Sequence, residues 1–417
     1  MDLSVTRRTL DFRQELRALL ASPDTRTLLA EVRARADGMD GDVRPLYRHL
    51  GRAGVLAPSW PPEYGGRGGD FTETVVLLEE LVAHGVPQSL YYISVQIVGS
   101  LILQAGTPGQ RAALLPRLAA GDLSVCILFT EPEHGSDLAG ITTRGRPLPD
   151  GGWAVTGRKT YNLKTAYADL ALCAVRTAPE RSRYEGISLF LVPLDAPGVR
   201  VRPLPSLADE QFHDVRLDEA RVAADAVLGA PGDGWSLITR MFAAERSGLD
   251  YYARARHWLG LTAGRLPAPP APEARMPAAL APDAQQPAGP APDAQLPTAP
   301  APDADAWAGL ARHQARLAAT RLLTCRALQQ LQEDRPDIAT ASLSKWHASE
   351  TAQAVSWWSL EVLGLSAVRP DGADAPDRVL EAALREAPGM TVSGGASEVL
   401  LDIVTGARLL DDVGTGG

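Results

Sequence analysis

The stretch LFTEPEHGSDLAGITTRG, residues 128–145, decides how this chain is to be interpreted. Its apolar start predicts a β-strand that ends at Thr130, and the small and polar residues that follow predict a loop. Such a loop brings backbone amides and hydroxyl groups to a surface, where they suit the edge of a planar heterocycle or a phosphate. Taken alone, the stretch is more simply a loop in which Ser136 or Asp137 makes local turns.

The chain divides into three segments with different patterns, and this stretch lies in the second. Residues 1–124 have the apolar spacing of helices, and we interpret them as a helical N-terminal domain. Residues 125–234 hold short runs rich in β-formers, with Asp150-Gly151-Gly152 as a hairpin turn, and predict a small barrel or sandwich. Residues 235–417 return to helical spacing and predict a four-helix bundle whose first helix reaches about residue 264. The predicted fold class is therefore α+β.

A Pro- and Ala-rich stretch interrupts the third segment at about residues 266–304. Within it, Ala-Pro-Asp-Ala recurs at residues 281, 291 and 301. The stretch has no aromatic residue, and its prolines remove backbone donors, so we predict a disordered insertion. The bundle can tolerate it, because each doubling of loop length adds only about 0.6 kcal/mol of closure entropy.

Composition excludes several classes of protein. A net charge of −9 and a pI near 5.4 argue against a nucleic-acid binder and against a polybasic membrane binder. The N-terminus lacks the apolar core of a signal peptide, and no run of about 18 apolar residues occurs, which favours a soluble protein of the cytoplasm. Cys126, Cys173 and Cys325 are scattered and predict buried thiols. No metal spacing, phosphate-binding loop or nucleophile elbow is found.

With its neighbours in view, residues 128–145 resemble the Thr-Glu-Pro-x-x-Gly-Ser-Asp signature of the acyl-CoA dehydrogenase family. Residues 54–69, 106–126 and 227–246 are similar to other stretches of that family, in the same order and spacing. The resemblance implies a helical N-terminal domain, a β-barrel middle domain and a C-terminal four-helix bundle. It also implies FAD as cofactor, an acyl thioester of CoA or a carrier protein as substrate, and a homodimer or homotetramer.

The resemblance implies a catalytic carboxylate, which removes the α-proton while the β-hydrogen leaves as hydride to the flavin. In many members this carboxylate lies near the C-terminus, at the position that Gly394 occupies in SGGASEV. One branch of the family carries it on the first bundle helix instead, directly before an Arg, as Glu245-Arg246 does here. We therefore predict Glu245 and Arg246 as catalytic residues. The alternative is a helix-surface acid near Arg240.

The same resemblance implies the flavin-binding residues. Thr130, Gly135 and Ser136 match positions that contact the flavin in relatives, and Tyr161 matches an aromatic residue that lies against its ring. Leu163 stands where relatives have a hydroxyl residue.

Two motifs that hold the FAD diphosphate and adenine across the dimer are altered. In EVLGLSA, residues 361–367, Glu361 replaces a Gln, and Leu365 and Ala367 replace glycines. An Arg-x-x-Phe-Gly turn, expected near residues 270–275, is replaced by the Pro/Ala-rich insertion. An acid is unfavourable near a diphosphate, and a side chain blocks close approach of the backbone to a ligand.

Two functions therefore remain open from the sequence. The first is an FAD-dependent acyl-thioester dehydrogenase, with Glu245 as base and an α,β-unsaturated product. The second is a flavin-free enzyme of the same fold that performs dehydration, isomerisation or cyclisation in a biosynthetic pathway, with Glu245 assisted by Tyr161 or Asp250. A non-catalytic scaffold is a third interpretation.

Overall fold

The computed structural model describes residues 6–35, 41–266, 302–364 and 375–414. Helices precede the sheet and helices follow it, so the predicted α+β architecture is confirmed. The boundaries at 124/125 and 234/235 stay predictions. The interior of the Pro/Ala-rich insertion, and Leu365 and Ala367 with it, lie outside the described residues.

The N-terminal part is built from helices joined by short loops. They are α1 (Arg7–Leu20), α2 (Pro23–Arg35), α3 (Arg44–Arg52), α4 (Phe71–Ala83), α5 (Ser89–Tyr91), a π-helix (Tyr92–Gly99), α6 (Ser100–Ala105) and α7 (Pro108–Ala119). The start of α7 shows how the sequence begins a helix. The Thr107 hydroxyl accepts a hydrogen bond from the Gln110 amide, and Pro108 occupies the first helical position. Gly121, at φ 71°, lies just past its end.

The middle part is one mostly antiparallel sheet. Its strands are β1 (Val125–Leu128), β2 (Arg144–Pro147), β3 (Trp153–Leu163), β4 (Leu170–Arg176), β5 (Ile187–Pro193), β6 (Val199–Leu204), β7 (Phe212–Val222) and β8 (Val227–Leu228). Their order is β6-β7-β3-β2-β4-β5-β8, and β1 pairs with β4 in parallel. The predicted hairpin joins β2 to β3, with Gly151 at φ 84°. Cys126 and Cys173 are buried inside the sheet, as predicted for thiols.

The C-terminal part is a helical bundle in which one helix packs against all the others. Its helices are α8 (Gly234–Glu245), α9 (Leu249–Ala263), α10 (Pro302–Gln332), α11 (Ile338–Leu363), α12 (Ala375–Met390) and α13 (Ser397–Gly414). Helix α11 contacts the other five. Cys325 on α10 is buried, again as predicted.

The prediction of one continuous first bundle helix to residue 264 is wrong. The chain leaves the helix after Glu245 and re-enters it at Leu249. Gly248 has φ 74°, a left-handed conformation that glycine adopts without steric cost. A β-carbon there would lie 2.9 Å from the Ala348 β-carbon, so the break also lets the backbone pack closely against α11. The break places Glu245 at a helix C-terminus.

A buried ion pair joins the end of β1 to β3. The Lys159 ammonium donates to a Glu131 carboxylate oxygen at 2.9 Å and to the Phe129 carbonyl at 3.0 Å. The backbone amides of Thr142 and Thr143 also donate to Glu131, at 2.7 and 2.9 Å. Both charged side chains are buried, so each depends on the other for compensation. The pair fixes the loop after β1 against the strand that carries Tyr161.

Removing the ammonium should destabilise the fold strongly. In Lys159→Met, the Glu131 carboxylate stays buried without its counter-charge, and we expect a loss of roughly 3–5 kcal/mol in the free energy of unfolding. Arg158→Met is the matched control, because Arg158 is the next residue on β3 and pairs with Asp214 at 2.7 Å on the surface. That change should cost about 0–1 kcal/mol. Urea unfolding measures both, and equal losses would contradict the assignment.

The same pair has a pH signature. Burial opposes ionisation of Glu131, but the Lys159 charge and the hydrogen bonds from Thr143 and Thr142 outweigh it and lower the pKa to about 2. A depressed folded-state pKa adds stability that is fully present above the unfolded pKa, about 4.3. We expect this contribution to disappear as the pH falls from there towards 2. Lys159→Met should therefore show a weaker loss of stability over that range than the wild type.

Candidate active site

Glu245 faces a glycine, Gly394, in a turn of the chain. It is the last residue of α8, and the turn at residues 391–396 connects α12 to α13. A β-carbon on Gly394 would lie 3.2 Å from a Glu245 carboxylate oxygen and 3.6 Å from the Tyr251 hydroxyl. Gly394 has φ 66° and Gly395 has φ 114°, conformations that favour glycine. The two positions that the sequence singled out, 245 and 394, are therefore adjacent in space.

Arg246 contacts the same turn. Its guanidinium nitrogen Nε donates to the Gly394 carbonyl at 3.1 Å, and its guanidinium carbon lies 4.2 Å from the centre of the Phe242 ring. Among the described residues, no Lys, Arg or His side chain forms a salt bridge to Glu245 within 4 Å. Arg240, the neighbour considered for a surface ion pair, instead contacts Gln104 and Asp334. Glu245 therefore has no surface ion pair among the described residues, and Arg246 binds the turn instead.

Lys345 holds the turn from the other side. From α11, its ammonium donates to the Met390 carbonyl at 2.9 Å and to the Gly395 carbonyl at 2.7 Å. The same ammonium lies 5.6 Å from the centre of the Tyr251 ring, and the Tyr251 hydroxyl hydrogen-bonds to that of Ser393 at 3.1 Å. The sequence reasoning missed Lys345. A signal was available, because only three of the 41 basic residues are lysines.

Burial and nearby charges act in opposite directions on this cluster. Burial raises the pKa of Glu245 above its ordinary value, and the charges of Arg246 and Lys345 counteract that rise. Burial lowers the pKa of Lys345 to about 8, although the Glu245 charge opposes this shift. Burial also lowers the pKa of Arg246. The result is a carboxylate with a raised proton affinity beside cations that stabilise its ionised form, which suits a general base.

Asp250, which the sequence suggested as an assistant to Glu245, contacts Gln88, just before α5, and Arg254 on α9. The Gln88 amide donates to its carboxylate at 2.8 Å, and Arg254 lies 4.0 Å away on α9. Burial raises the pKa of Asp250. Close by, the hydroxyls of Tyr92 and Ser247 hydrogen-bond at 3.3 Å, joining the π-helix to the break after α8.

The residues predicted to bind flavin lie together where the loop after β1 runs beside the end of β3. The Thr160 amide donates to the Thr130 carbonyl at 2.9 Å, so Thr130 lies beside the strand position of Tyr161. Tyr161 is 64% exposed at φ 55° and packs edge-on against Phe212, with ring centres 6.2 Å apart. Gly135 is exposed, and a β-carbon on it would meet only Thr130, at 4.0 Å.

Ser136 is likewise exposed beside Gly135, whereas Leu163 is half-buried and adds no hydroxyl. An exposed aromatic ring in a left-handed conformation is uncommon, and such positions cluster at ligand-binding sites. The open glycine, the hydroxyls and the aromatic ring together fit the ring of a planar cofactor such as the flavin of FAD.

The two groups of predicted residues do not touch each other in the described residues, but the π-helix bonds to the start of β1 and to the helix break after Glu245. The Ser94 hydroxyl bonds to the Val125 amide and carbonyl at 2.8 and 2.9 Å, which anchors the π-helix to β1. Tyr92, the first residue of the π-helix, bonds to Ser247. Short π-helical turns occur often at functional sites, because they displace side chains from the regular helix surface.

Models of three domains match most of the chain. The N-terminal, middle and C-terminal domains of acyl-CoA dehydrogenase match residues 6–122, 126–220 and 306–409. The chain belongs to the acyl-CoA dehydrogenase family. No described helix of this acyl-CoA dehydrogenase family member is both long and apolar enough to cross a bilayer.

Individual relatives agree with this membership. Over 213 residues the chain is 32% identical to the acyl-CoA dehydrogenase IpdE1 of Mycolicibacterium smegmatis, a match that covers 49% of this chain and 54% of that protein. The chain thus spans about half the length of that relative. The solved Tcur3481-Tcur3483 steroid ACAD is 28% identical with a TM-score of 0.78, over 98% of this chain and 99% of that one. The ChsE4-ChsE5 complex from Mycobacterium tuberculosis is 27% identical with a TM-score of 0.77, over 98% and 99%.

The turn should tolerate no side chain at position 394, opposite Glu245. Gly394→Ala places a methyl group 3.2 Å from the carboxylate in a left-handed conformation. We expect a loss of about 1–3 kcal/mol in the free energy of unfolding, together with a displaced carboxylate. Gly389→Ala is the matched control: it lies in α12 with open space around it and should be neutral or stabilising by up to about 1 kcal/mol. Equal thermal unfolding of both variants would count against a close approach at Gly394.

Proposed function

We propose that this chain is an FAD-dependent dehydrogenase of acyl thioesters in which Glu245 removes the α-proton. The observation that supports this proposal most is the Glu245 carboxylate at the helix break, facing Gly394, where the turn has no side chain. Family membership supports the reaction class, and the raised pKa of Glu245 supports the role of a base. Thioester α-protons are weakly acidic, so a base of raised proton affinity in a desolvated site is what the reaction needs.

The residues around the base divide the remaining work. Arg246 and Lys345 bind the carbonyl groups of the turn, and so keep the space in front of Glu245 open and its carboxylate oriented. Thr130, Gly135, Ser136 and Tyr161 would hold the flavin ring. FAD, when bound, supplies the acceptor for the β-hydrogen as hydride.

The adenine end of FAD requires a second subunit in this proposal. Glu361 is exposed at the end of α11, where relatives carry a Gln for that end. Two similar solved structures are named for pairs of different chains, Tcur3481-Tcur3483 and ChsE4-ChsE5. We therefore propose that the partner is a different chain of the same family that retains the two adenine-side motifs. This replaces the homodimer or homotetramer that the resemblance implied.

The base can be tested by substitution. Glu245→Gln keeps the shape of the side chain but cannot accept the α-proton, so we expect at least about a 10²-fold loss of turnover. The assay is anaerobic bleaching of the flavin absorption by a panel of saturated acyl-CoA thioesters. Glu398→Gln, an exposed acid in the first turn of α13, serves as the control and should leave turnover unchanged. Full activity in Glu245→Gln would refute the assignment, provided that both variants unfold at the wild-type temperature.

FAD binding can be tested from the visible absorption of the chain, expressed alone and together with a partner chain. We expect the chain expressed alone to hold FAD weakly, and to become yellow when it is co-expressed with a family member that retains the adenine-side motifs. Visible absorption and the ratio of flavin to protein measure both. A yellow homo-oligomer would contradict the partner proposal alone. Colourless protein under every condition would contradict FAD dependence and favour the flavin-free alternative.

A further inference from the structure

The distribution of lysine in this chain is uneven. Lysine occurs three times, at Lys159, Lys164 and Lys345, and the other 38 basic residues (41 − 3) are arginine. All three lysines are fully buried, at 0, 0 and 1% exposure. Long charged side chains are almost never fully buried unless they are paired. Lysine differs from arginine in carrying a compact ammonium whose charge is concentrated at one point.

Lys159 is explained by the Glu131 carboxylate 2.9 Å away, but Lys345 has no such partner. Among the described residues, no carboxylate lies within 4 Å of its ammonium. The two acceptors at hydrogen-bond distance are carbonyls, those of Met390 and Gly395, on the two sides of the turn opposite Glu245. Two neutral acceptors do not compensate a buried charge, so a longer-range negative charge has to contribute.

The charged groups around Lys345 identify that charge. Glu245 and Arg246 face it from the end of α8, and Glu350 faces it from α11 itself, with Glu245 contributing the largest of these interactions. Glu350 also accepts a hydrogen bond from the Ser397 hydroxyl at 2.6 Å, at the start of α13. Around Glu245, the charged groups are Arg246 and Lys345, and the titratable hydroxyls are those of Tyr251 and Tyr92.

We propose that Lys345 is the positioning residue of the base: its ammonium ties the two sides of the turn together and supplies a positive charge that keeps the Glu245 carboxylate ionised. The proposal rests on the proposed role of Glu245. An arginine at this position would present a larger, planar group with a delocalised charge in place of a compact ammonium. The residue acts through the turn and through its charge.

The small number of lysines allows a direct test that needs neither flavin nor turnover. In protein labelled with carbon-13 at the lysine ε-carbon, three side-chain signals are expected, and Lys345 is the one lost in Lys345→Gln. The signal should titrate near pH 8 in the wild type. In Glu245→Gln the negative charge is gone, so the pKa of Lys345 should fall by about one pH unit. The exposed control Glu398→Gln should leave it unchanged.

A titration of Lys345 that is the same in Glu245→Gln as in the wild type would overturn the proposal, because the two charges would then be independent. This result is distinct from a failure of the proposed function, in which Glu245→Gln retains full turnover whatever Lys345 does. Glu245→Gln leaves Lys345 and its two carbonyl acceptors in place, so the titration is measured with the lysine present, and Lys345→Gln serves only to assign the signal.

The pH dependence of turnover provides the second readout. Removing the ammonium in Lys345→Met raises the pKa of Glu245, so the acid limb of the kcat/KM profile should move up by about one pH unit. Lys345→Arg retains a charge and should keep the limb in place even if kcat falls through displacement of the turn. A loss of kcat with an unmoved limb in both variants would show a merely structural role and overturn the charge part of the proposal.

Discussion

Buried charge is the constraint on which the organisation of this molecule depends. A carboxylate taken out of water has to be compensated by a nearby cation or by several hydrogen bonds, or else it becomes protonated. The chain meets this requirement twice with lysine. Lys159 compensates Glu131 within the sheet, and Lys345 lies beside Glu245 within the helical bundle. In both places the ammonium also binds backbone carbonyls, and so fixes a loop to a regular element.

The two fixed loops carry the two halves of the candidate active site. In the sheet, Lys159 holds the loop after β1, and therefore Thr130, beside the exposed ring of Tyr161. In the bundle, Lys345 and Arg246 hold the glycine turn in front of Glu245. The π-helix bonds to the start of β1 through Ser94 and to the helix break after Glu245 through Tyr92. The proposed flavin site at the end of β1 and the proposed base on the bundle would thus be positioned by separate buried charges.

The break between α8 and α9 has a chemical consequence as well as a structural one. It leaves Glu245 at a helix C-terminus, where the partial negative charge of the helix end favours the protonated form of a carboxyl group. Burial acts in the same direction. The positive charges of Arg246 and Lys345 act against both, so the proton affinity of Glu245 results from burial and the helix end on one side and two cations on the other. Such a balance is how a protein tunes a carboxylate towards the strength that general-base catalysis requires.

The order of helical and β segments, the hairpin at Gly151 and the buried thiols all followed from the sequence, because each depends on local pattern or on residues a few positions apart. The family resemblance also predicted Glu245, Thr130 and Tyr161 as site residues. Only the tertiary structure decided that the first bundle helix breaks after Glu245, since that break depends on close packing of Gly248 against α11. It alone also showed that Lys345 lies at the turn opposite Glu245. The contacts of Lys345 join residues 45 and 50 positions apart, and no local periodicity records a charge interaction between distant helices.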